Sequence, residues 1–598
     1  VSLIAALALA ASLGVATPGA SVAMATASGV PGAPANAQAK PALDSTAVTV
    51  SWAAGAGPAA TYFVVAAFTD AGAYVNDAIC YVGCTSMVVP GLTPGSRYAF
   101  AIWAGNAAGG SPGAATPVIT VNSGCASTAY CVSVDATRVA GPLRHAAAGL
   151  LDGTYLVNQT TVAPLRPTAW RLGILPTAGG GLDYTSYDAA RQAGASTVTV
   201  LISDAWLFYS NGGCGNPSSS CGAAPPWWQP SAYSSWVSGY VRQIEASGRH
   251  PDYWDIQNEP DATVAAGGYY NSSGAASVSI ANDLQQFQAA YQAIKAADPS
   301  AKVEGPSLSE FRTTPDGARL DMTSFLQYSA SHGLRWDALS WHENGGYLSP
   351  DAWDVLPTVK IPADIATVRN LLAQNPSLGM PALSINEFGM SATSTVPGWY
   401  AAELATIEAS SAASANRTCF YTATNPAVSS GCSAYPTTLD ELLTSSGGTS
   451  ADYRVLAAFG QLAGSRIVAT PSDQTFGAIG AVDSGGAVRF LLGRAATCVA
   501  AVNPDCGEPA SWTPAPADVA MNVKLPWSGT ATVTIDRIPD VPGQNVGGPT
   551  VVSSQTVTVT RGSINLVLPS VADGEAWTVT IVPSTSPAPP TPQRLPHR

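Results

Sequence analysis

Between residues 150 and 465 a single pattern repeats: a short apolar or β-branched run, then a stretch with apolar residues three and four apart. Ser196-Thr197-Val198-Thr199-Val200-Leu201-Ile202 has the composition of a strand buried on both faces. Tyr233, Trp236, Val237, Tyr240, Val241 and Ile244 follow on one helical face, then a strand around Trp254 and Ile256. Leu284, Phe287, Tyr291 and Ile294 mark the next helix, stopped at Asp298-Pro299; further strands are expected at 302–305, 337–341 and 381–386. Repeated β–α units demand a parallel sheet, and no Gly-rich GxGxxG turn follows any strand. The pattern therefore predicts a (β/α)8 TIM barrel over 150–468 rather than a doubly wound sheet.

The flanks read differently. Residues 41–122 alternate as short strands, at 47–52, 61–67 and 97–104, and predict a β-sandwich. After 468 the helical pattern stops, and strands at 488–492, 519–525, 531–535, 564–568 and 577–582 predict a C-terminal β-sandwich over 469–583. Residues 123–149 connect the first sandwich to the barrel and are a candidate strand of the C-terminal one. Residues 584–598 form a Pro-rich tail expected to be disordered. Residues 1–40 comprise a linker preceded by VSLIAALALAASLGVA, which reads as a secretory signal although it lacks a basic start. Gly14 and Pro18 interrupt that run before it reaches the ~20 residues of a membrane span.

Ten cysteines fall in five close couples: Cys80/Cys84, Cys125/Cys131, Cys214/Cys221, Cys419/Cys432 and Cys498/Cys506. No CxxC or His cluster accompanies them, so local disulfides of an exported chain are expected rather than a metal site. The formal net charge of −13 argues against nucleic acid or an anionic membrane as partner, since both reward a basic face. Charged residues make up only 11% of the chain, which suits a soluble protein acting on something neutral. No metal site or nucleotide loop is visible, so no cofactor is implied. The oligomeric state is not legible.

Two segments carry the chemistry. In a parallel barrel the active site lies at the C-terminal ends of the strands. In WDIQNEPD, side-chain alternation puts Asp255, Gln257 and Glu259 on one face, with Glu259 at the rim and Pro260 ending the ladder. ALSINEFG has the same grammar: Leu383, Ile385 and Glu387 share a face, the acid is outermost, and Gly389 permits the turn. Two glutamates at the mouths of two strands suit glycosidic bond hydrolysis, in which one carboxyl protonates the leaving oxygen and the other attacks carbon or activates water.

WDIQNEPD and SINEFG resemble the acid/base and nucleophile segments of the clan A glycoside hydrolases, retaining enzymes on a (β/α)8 barrel. The resemblance implies Glu259 as acid/base at the end of strand four, Glu387 as nucleophile at the end of strand seven, and Asn258 on the sugar 2-hydroxyl. It also implies Arg171, in TAWRLG near the end of strand two, beside the nucleophile. LDELLTSSGGTSADYRVLAAFGQLAG, 439–464, is similar to the last helix region of families 39 and 79, where the chain leaves the barrel for a β-sandwich. LTPGSRYAF, 92–100, resembles the tyrosine-corner segment of fibronectin type III domains, with Trp52 as their early core Trp.

One departure concerns strand six. The clan commonly shows His-x-Tyr there, the Tyr holding the nucleophile; this chain has SWHENGGY, with His342 present, Asn344 in the Tyr position and Tyr347 three residues on. Either Tyr347 folds back or another group supports Glu387. Glu343 is a third acid, a candidate for sugar hydroxyls or a solvated loop residue. Among the rim aromatics (Trp206, Phe208, Tyr209, Trp227, Trp228, Tyr269 and Tyr270), Trp206 is the best candidate for stacking a sugar, since it directly follows a strand. The expected function is secreted O-glycosyl hydrolysis of a polysaccharide, oligosaccharide or glycoconjugate. Exo and endo action both remain open. The alternative is a carbohydrate-binding or adhesive surface protein on a barrel that has lost catalysis.

Overall fold

A computed structural model describes residues 29–584 except 42–47, 82–83, 90–91, 94–95, 122–129, 152–157, 178–180, 204, 206–229, 262–279, 315–318, 344–355, 390–394, 419–438, 445, 497, 500–510 and 513. Trp206, Tyr347 and the other rim aromatics named above lie outside the described residues. So do the apolar leader, the Pro-rich tail and the couples Cys214/Cys221 and Cys419/Cys432. Cys80 and Cys84 are bridged, and Cys131 is disulfide-bonded as well.

The central element is a closed, all-parallel barrel of eight strands. They are β1 (Gly149–Leu151), β2 (Ala169–Leu172), β3 (Thr197–Leu201), β4 (Tyr253–Asp255), β5 (Val303–Leu308), β6 (Ala338–Glu343), β7 (Ala382–Phe388) and β8 (Ser414–Arg417). Closure is made where Gly149 of β1 registers with Asn416 of β8. Gly149 is required there, because a Cβ would come 2.2 Å from the Ala415 carbonyl oxygen. Every residue of β2, β5 and β6 is buried, as expected of strands covered by helices outside and side chains inside.

The covering helices are α1 (Thr185–Gln192), α2 (Pro230–Ala246), α3 (Ile280–Ala297), α4 (Met322–His332), α5 (Pro357–Gln374), α6 (Pro397–Ala409) and α7 (Ala451–Gly460). The apolar faces read from the sequence are their inner faces: Tyr233, Val237, Tyr240, Val241 and Ile244 of α2 and Leu284, Phe287 and Ile294 of α3 all join the barrel core. Polar caps fix the ends. Asp321 accepts from the Ser324 amide to start α4, and Gly333 ends it in the left-handed region at φ 68°.

The N-terminal sandwich has one sheet of Ala35–Pro41, Val48–Ala53 and Ser86–Val89, and a second built on Tyr74–Tyr81, Tyr62–Thr69 and Arg97–Asn106. The Tyr98 hydroxyl accepts from the Thr93 amide at 3.1 Å, which is the tyrosine corner, and Trp52 packs in the core 5.3 Å from the Phe63 ring. The first sheet faces the barrel, with Gln374 of α5 donating to Cys84 Sγ at 3.4 Å. The C-terminal unit is a nine-stranded sheet whose edge strands, Thr550–Val559 and Ser563–Val571, are consecutive in sequence, so it is nearly closed. Cys131–Pro142, from the segment that precedes the barrel, lies within it between Ser465–Pro471 and Ala517–Lys524. The N-terminal approach to the barrel and its C-terminal exit are thus paired in one sheet.

Candidate active site

Arg171, at the end of β2 and only 1% exposed, organises the barrel mouth. Its Nη1 donates to Glu387 Oε1 at 2.6 Å, Nη2 to Asn258 Oδ1 at 2.9 Å, and Nε to Asp255 Oδ2 at 2.8 Å. A planar guanidinium can hold three acceptors from two other strands at once, which a lysine ammonium could not do in this geometry. Arg171 therefore holds Glu387 by a hydrogen bond; Tyr347, the other candidate for that support, lies outside the described residues.

Glu387 is brought inward by a β-bulge. Along β6–β7 the register runs Trp341 to Ile385 and then His342 to Glu387, so Asn386 is the extra residue. Asn386 also points into the barrel, donating to Asp255 Oδ2 at 3.0 Å and to Ser307 Oγ at 2.7 Å. The expected alternation, with Leu383 and Ile385 inward beneath Glu387, is corrected by this bulge. The interior below is polar instead: Asp255, Ser307 and Ser340 are linked by hydrogen bonds of 2.8 and 2.9 Å, and Thr199 and Glu304 lie beside them.

The WDIQNEPD segment departs from alternation as well. β4 ends at Asp255; Gln257 leaves the cluster to meet Gln286 of α3, and Glu259 takes a left-handed backbone at φ 46°. Its amide still donates to the Ser307 carbonyl at 3.0 Å, and Pro260 then offers no further donor. A non-glycine residue held at positive φ is strained, and such strain gathers at functional sites. The side chain ends 3.2 Å from His342 Nδ1, which lies 3.5 Å from Glu387 Oε2. Glu259, His342 and Glu387 each place one donor atom within 4.8 Å of the others, a set that a zinc-like divalent ion would also accept.

Burial pushes the Glu259 carboxyl up to about 7; Glu310 adds to the rise and Arg171 opposes it. Removal from water is the main cause, ahead of any neighbouring charge. Burial also lowers His342 to about 4, so the imidazole is neutral at neutral pH and carries a single N–H. Asp261, whose carboxylate accepts from the Ser309 amide and hydroxyl at 2.7 and 3.0 Å, rises to about 7, and Glu304 in the barrel floor to about 8, both mainly through burial.

Glu343 is neither a solvated loop acid nor turned to the pocket. It is buried, with Oε1 accepting from Trp341 Nε1 and Oε2 from Lys360 Nζ, both at 2.7 Å, and it ties β6 to α5. The structure thus gathers Arg171, Asn258, Glu259, His342 and Glu387 and sets Glu343 apart. The sequence reading missed Asp255 and Asn386 as members of the network. Asp255 was visible as the acid four residues before Glu259; Asn386 was hidden by the assumption of a regular strand.

Residues 32–121 match the fibronectin type III domain, and the barrel shares its fold with solved glycoside hydrolases, a GH39 enzyme among them. Among solved structures, a protein from Neocallimastix frontalis aligns over 76% of this chain and 100% of its own, with 18% identity and a TM-score of 0.57. The GH39 enzyme from Xanthomonas axonopodis pv. citri covers 76% of this chain and 97% of its own at 15% identity and a TM-score of 0.51. A monomeric beta-xylosidase from Caulobacter crescentus CB15 covers 76% and 100% at 15% identity, also with a TM-score of 0.51. At these identities the likeness is one of fold. No curated protein matches the chain.

Proposed function

We propose that the protein is a secreted, retaining O-glycosyl hydrolase, with the barrel as its catalytic unit. The observation that carries this reading is the convergence of Glu259, just past β4, and Glu387 of β7 on one imidazole, with oxygens within 4.8 Å of each other. That closeness favours the short carboxyl separation of retaining enzymes, about 5–5.5 Å, over the ~6.5–9.5 Å that an inverting water requires.

In the first step a Glu387 oxygen attacks the anomeric carbon while the bond to the leaving oxygen breaks. Glu259, protonated near neutrality, gives its proton to that oxygen, leaving a glycosyl ester on Glu387. In the second step Glu259 takes a proton from water, the hydroxide oxygen bonds to the anomeric carbon and the ester carbon–oxygen bond breaks, restoring both groups. Arg171 orients the Glu387 carboxyl and sets its positive charge beside it, and Asn258, anchored by Arg171, would meet the sugar 2-hydroxyl. His342 offers one N–H between the two carboxyls. Among the described residues no helix is long and apolar enough to cross a membrane. The apolar leader and close cysteine couples support export.

The test is sugar release from a panel of plant, fungal and bacterial cell-wall glycans by the wild type and by Glu387→Ala. Proton NMR of the first-formed product should show the substrate's anomeric configuration. An inverted product would remove the nucleophile role from Glu387. No release from any glycan, with glycan binding equal in both proteins, would favour a carbohydrate-binding surface protein.

A further inference from the structure

Among the described residues, the second sheet of the fibronectin type III domain has an outer face that is no part of the sandwich core. Along Tyr62–Thr69, Phe63, Val65 and Ala67 point into the sandwich core, so Tyr62, Val64 and Phe68 point out. Register places Tyr81 beside Tyr62, Ile79 and Trp103 on either side of Val64, and Tyr74 beside Phe68. The Phe68 ring lies 6.1 Å from Tyr74 and 6.4 Å from Trp103. Tyr62 and Phe68, six residues apart on one strand, set a length of about 20 Å for the strip. Tyr74 is 49% exposed, Tyr81 45% and Ile79 38%.

Two glycines let rings approach the backbone on this face. A Cβ on Gly105 would come 2.1 Å from Tyr62 Cζ, and one on Gly113 would come 2.7 Å from Trp103 Nε1. Both rings therefore lie against backbone with no side chain beneath them, in the space a Cβ would occupy. The domain does not need these rings for its core, which Trp52, Phe63 and Phe100 already fill from the inner faces. A contiguous aromatic surface left in water marks an interaction site.

We propose that this outer face binds an extended chain of neutral pyranose sugars, making the domain a polysaccharide-binding platform separate from the barrel mouth. Aromatic rings at a surface stack on the axial C–H groups of a pyranose, and a row of them suits a chain of sugars better than a single one. Charge points the same way. Arg97 on this face is paired with Asp70 at 2.9 Å, and Asp77 accepts from the Tyr74 hydroxyl. The face thus offers little net charge to an acidic glycan, a nucleic acid or an anionic membrane. The domain docks on the barrel through its other sheet, which leaves this one outward. The proposal stands on the geometry of this face and does not need the barrel to be a hydrolase.

The experiment is affinity electrophoresis of the full chain, carrying Glu387→Gln to prevent digestion, through native gels containing xylan, mixed-linkage β-glucan, galactomannan or arabinogalactan. At least one of these should retard the parent. Tyr62→Ala with Trp103→Ala should weaken retardation about tenfold or more. Tyr81→Ala, which removes an exposed ring and leaves the core intact, should weaken it in part with an unchanged melting curve. Binding should quench tryptophan fluorescence in the parent and not in the double variant. The proposal is overturned if no polysaccharide retards the parent, or if every variant is retarded equally, which would place binding in the barrel cleft. It is also overturned if light scattering shows a dimer that Tyr81→Ala dissociates, because the face would then be an interface between copies. Retardation by this face with no sugar release by the wild type would leave the platform standing and remove the hydrolase reading; release by the wild type without retardation would do the reverse.

Discussion

Arg171 concentrates the electrostatics of the site, because three buried acceptors depend on its single charge. Arg171→Lys keeps the charge but loses the fork, and removing hydrogen bonds to charged groups costs about 1.5–3 kcal/mol each. The expected outcome is a fall in kcat of about 10²-fold or more with a smaller change in KM, read by steady-state kinetics on whichever glycan is cleaved. Glu259 makes a second prediction. As the proposed general acid it must be protonated, and burial holds it at about 7, so kcat/KM should decline as pH rises through about 7. Glu259→Gln should abolish that limb and slow cleavage of poor leaving groups far more than that of activated aryl glycosides. A limb that stays in the variant would assign the titration to another group.

At the scale of elements, the β7 bulge is what turns two consecutive residues inward. Asn386→Ala removes donors to Asp255 and Ser307 and leaves those acceptors buried, so we expect a loss of about 1–3 kcal/mol in urea unfolding together with reduced kcat. A variant with full stability and full activity would mean that the bulge persists without its side-chain anchors. A second element-scale contact joins α6 to the C-terminal sheet. A Cβ on Gly493 would meet the Gly398 carbonyl oxygen at 2.1 Å, and one on Gly477 would meet Ala402 Cα at 2.3 Å. Gly493→Ala must push the helix from the sheet and should cost about 1–3 kcal/mol by thermal or urea unfolding.

For the whole molecule, the buried acids set a pH dependence of stability. Glu259 and Asp261 are raised to about 7, Asp283 and Glu304 to about 8 and Asp540 to about 7, each mainly by burial. The unfolded chain releases these protons near pH 4 and the folded chain only near 7 or 8, so between those values the native state holds more protons. Stability contributed by these groups is therefore present below about pH 4 and is lost as pH rises through about 7 to 8. The melting temperature should be higher at pH 5 than at pH 8; equal values would mean that ordered water or cations compensate the burial. The pairing of Cys131–Pro142 with Ser465–Pro471 also ties both ends of the barrel into one sheet. Barrel and C-terminal sandwich should accordingly unfold together in calorimetry.

The sequence by itself determined the barrel, the two sandwiches and the glutamates at the strand mouths. Those depend on local signals: β-branched runs, helical spacing, a Pro that ends a ladder and a Tyr that makes a corner. It also pointed to Arg171 and His342, through the resemblance their segments carry. Only the tertiary structure decided which way the residues at the strand ends face. The extra residue in β7 and the left-handed backbone at Glu259 arise from pairing with neighbours more than thirty residues away, and a strand's own letters cannot record them. Nor could the sequence show that Glu343 is claimed by Lys360, that burial rather than a neighbouring charge keeps Glu259 protonated, or that aromatic rings pack over Gly105 and Gly113. Burial and contact between distant segments are properties of the packed molecule, and they set the chemistry of its carboxyl groups.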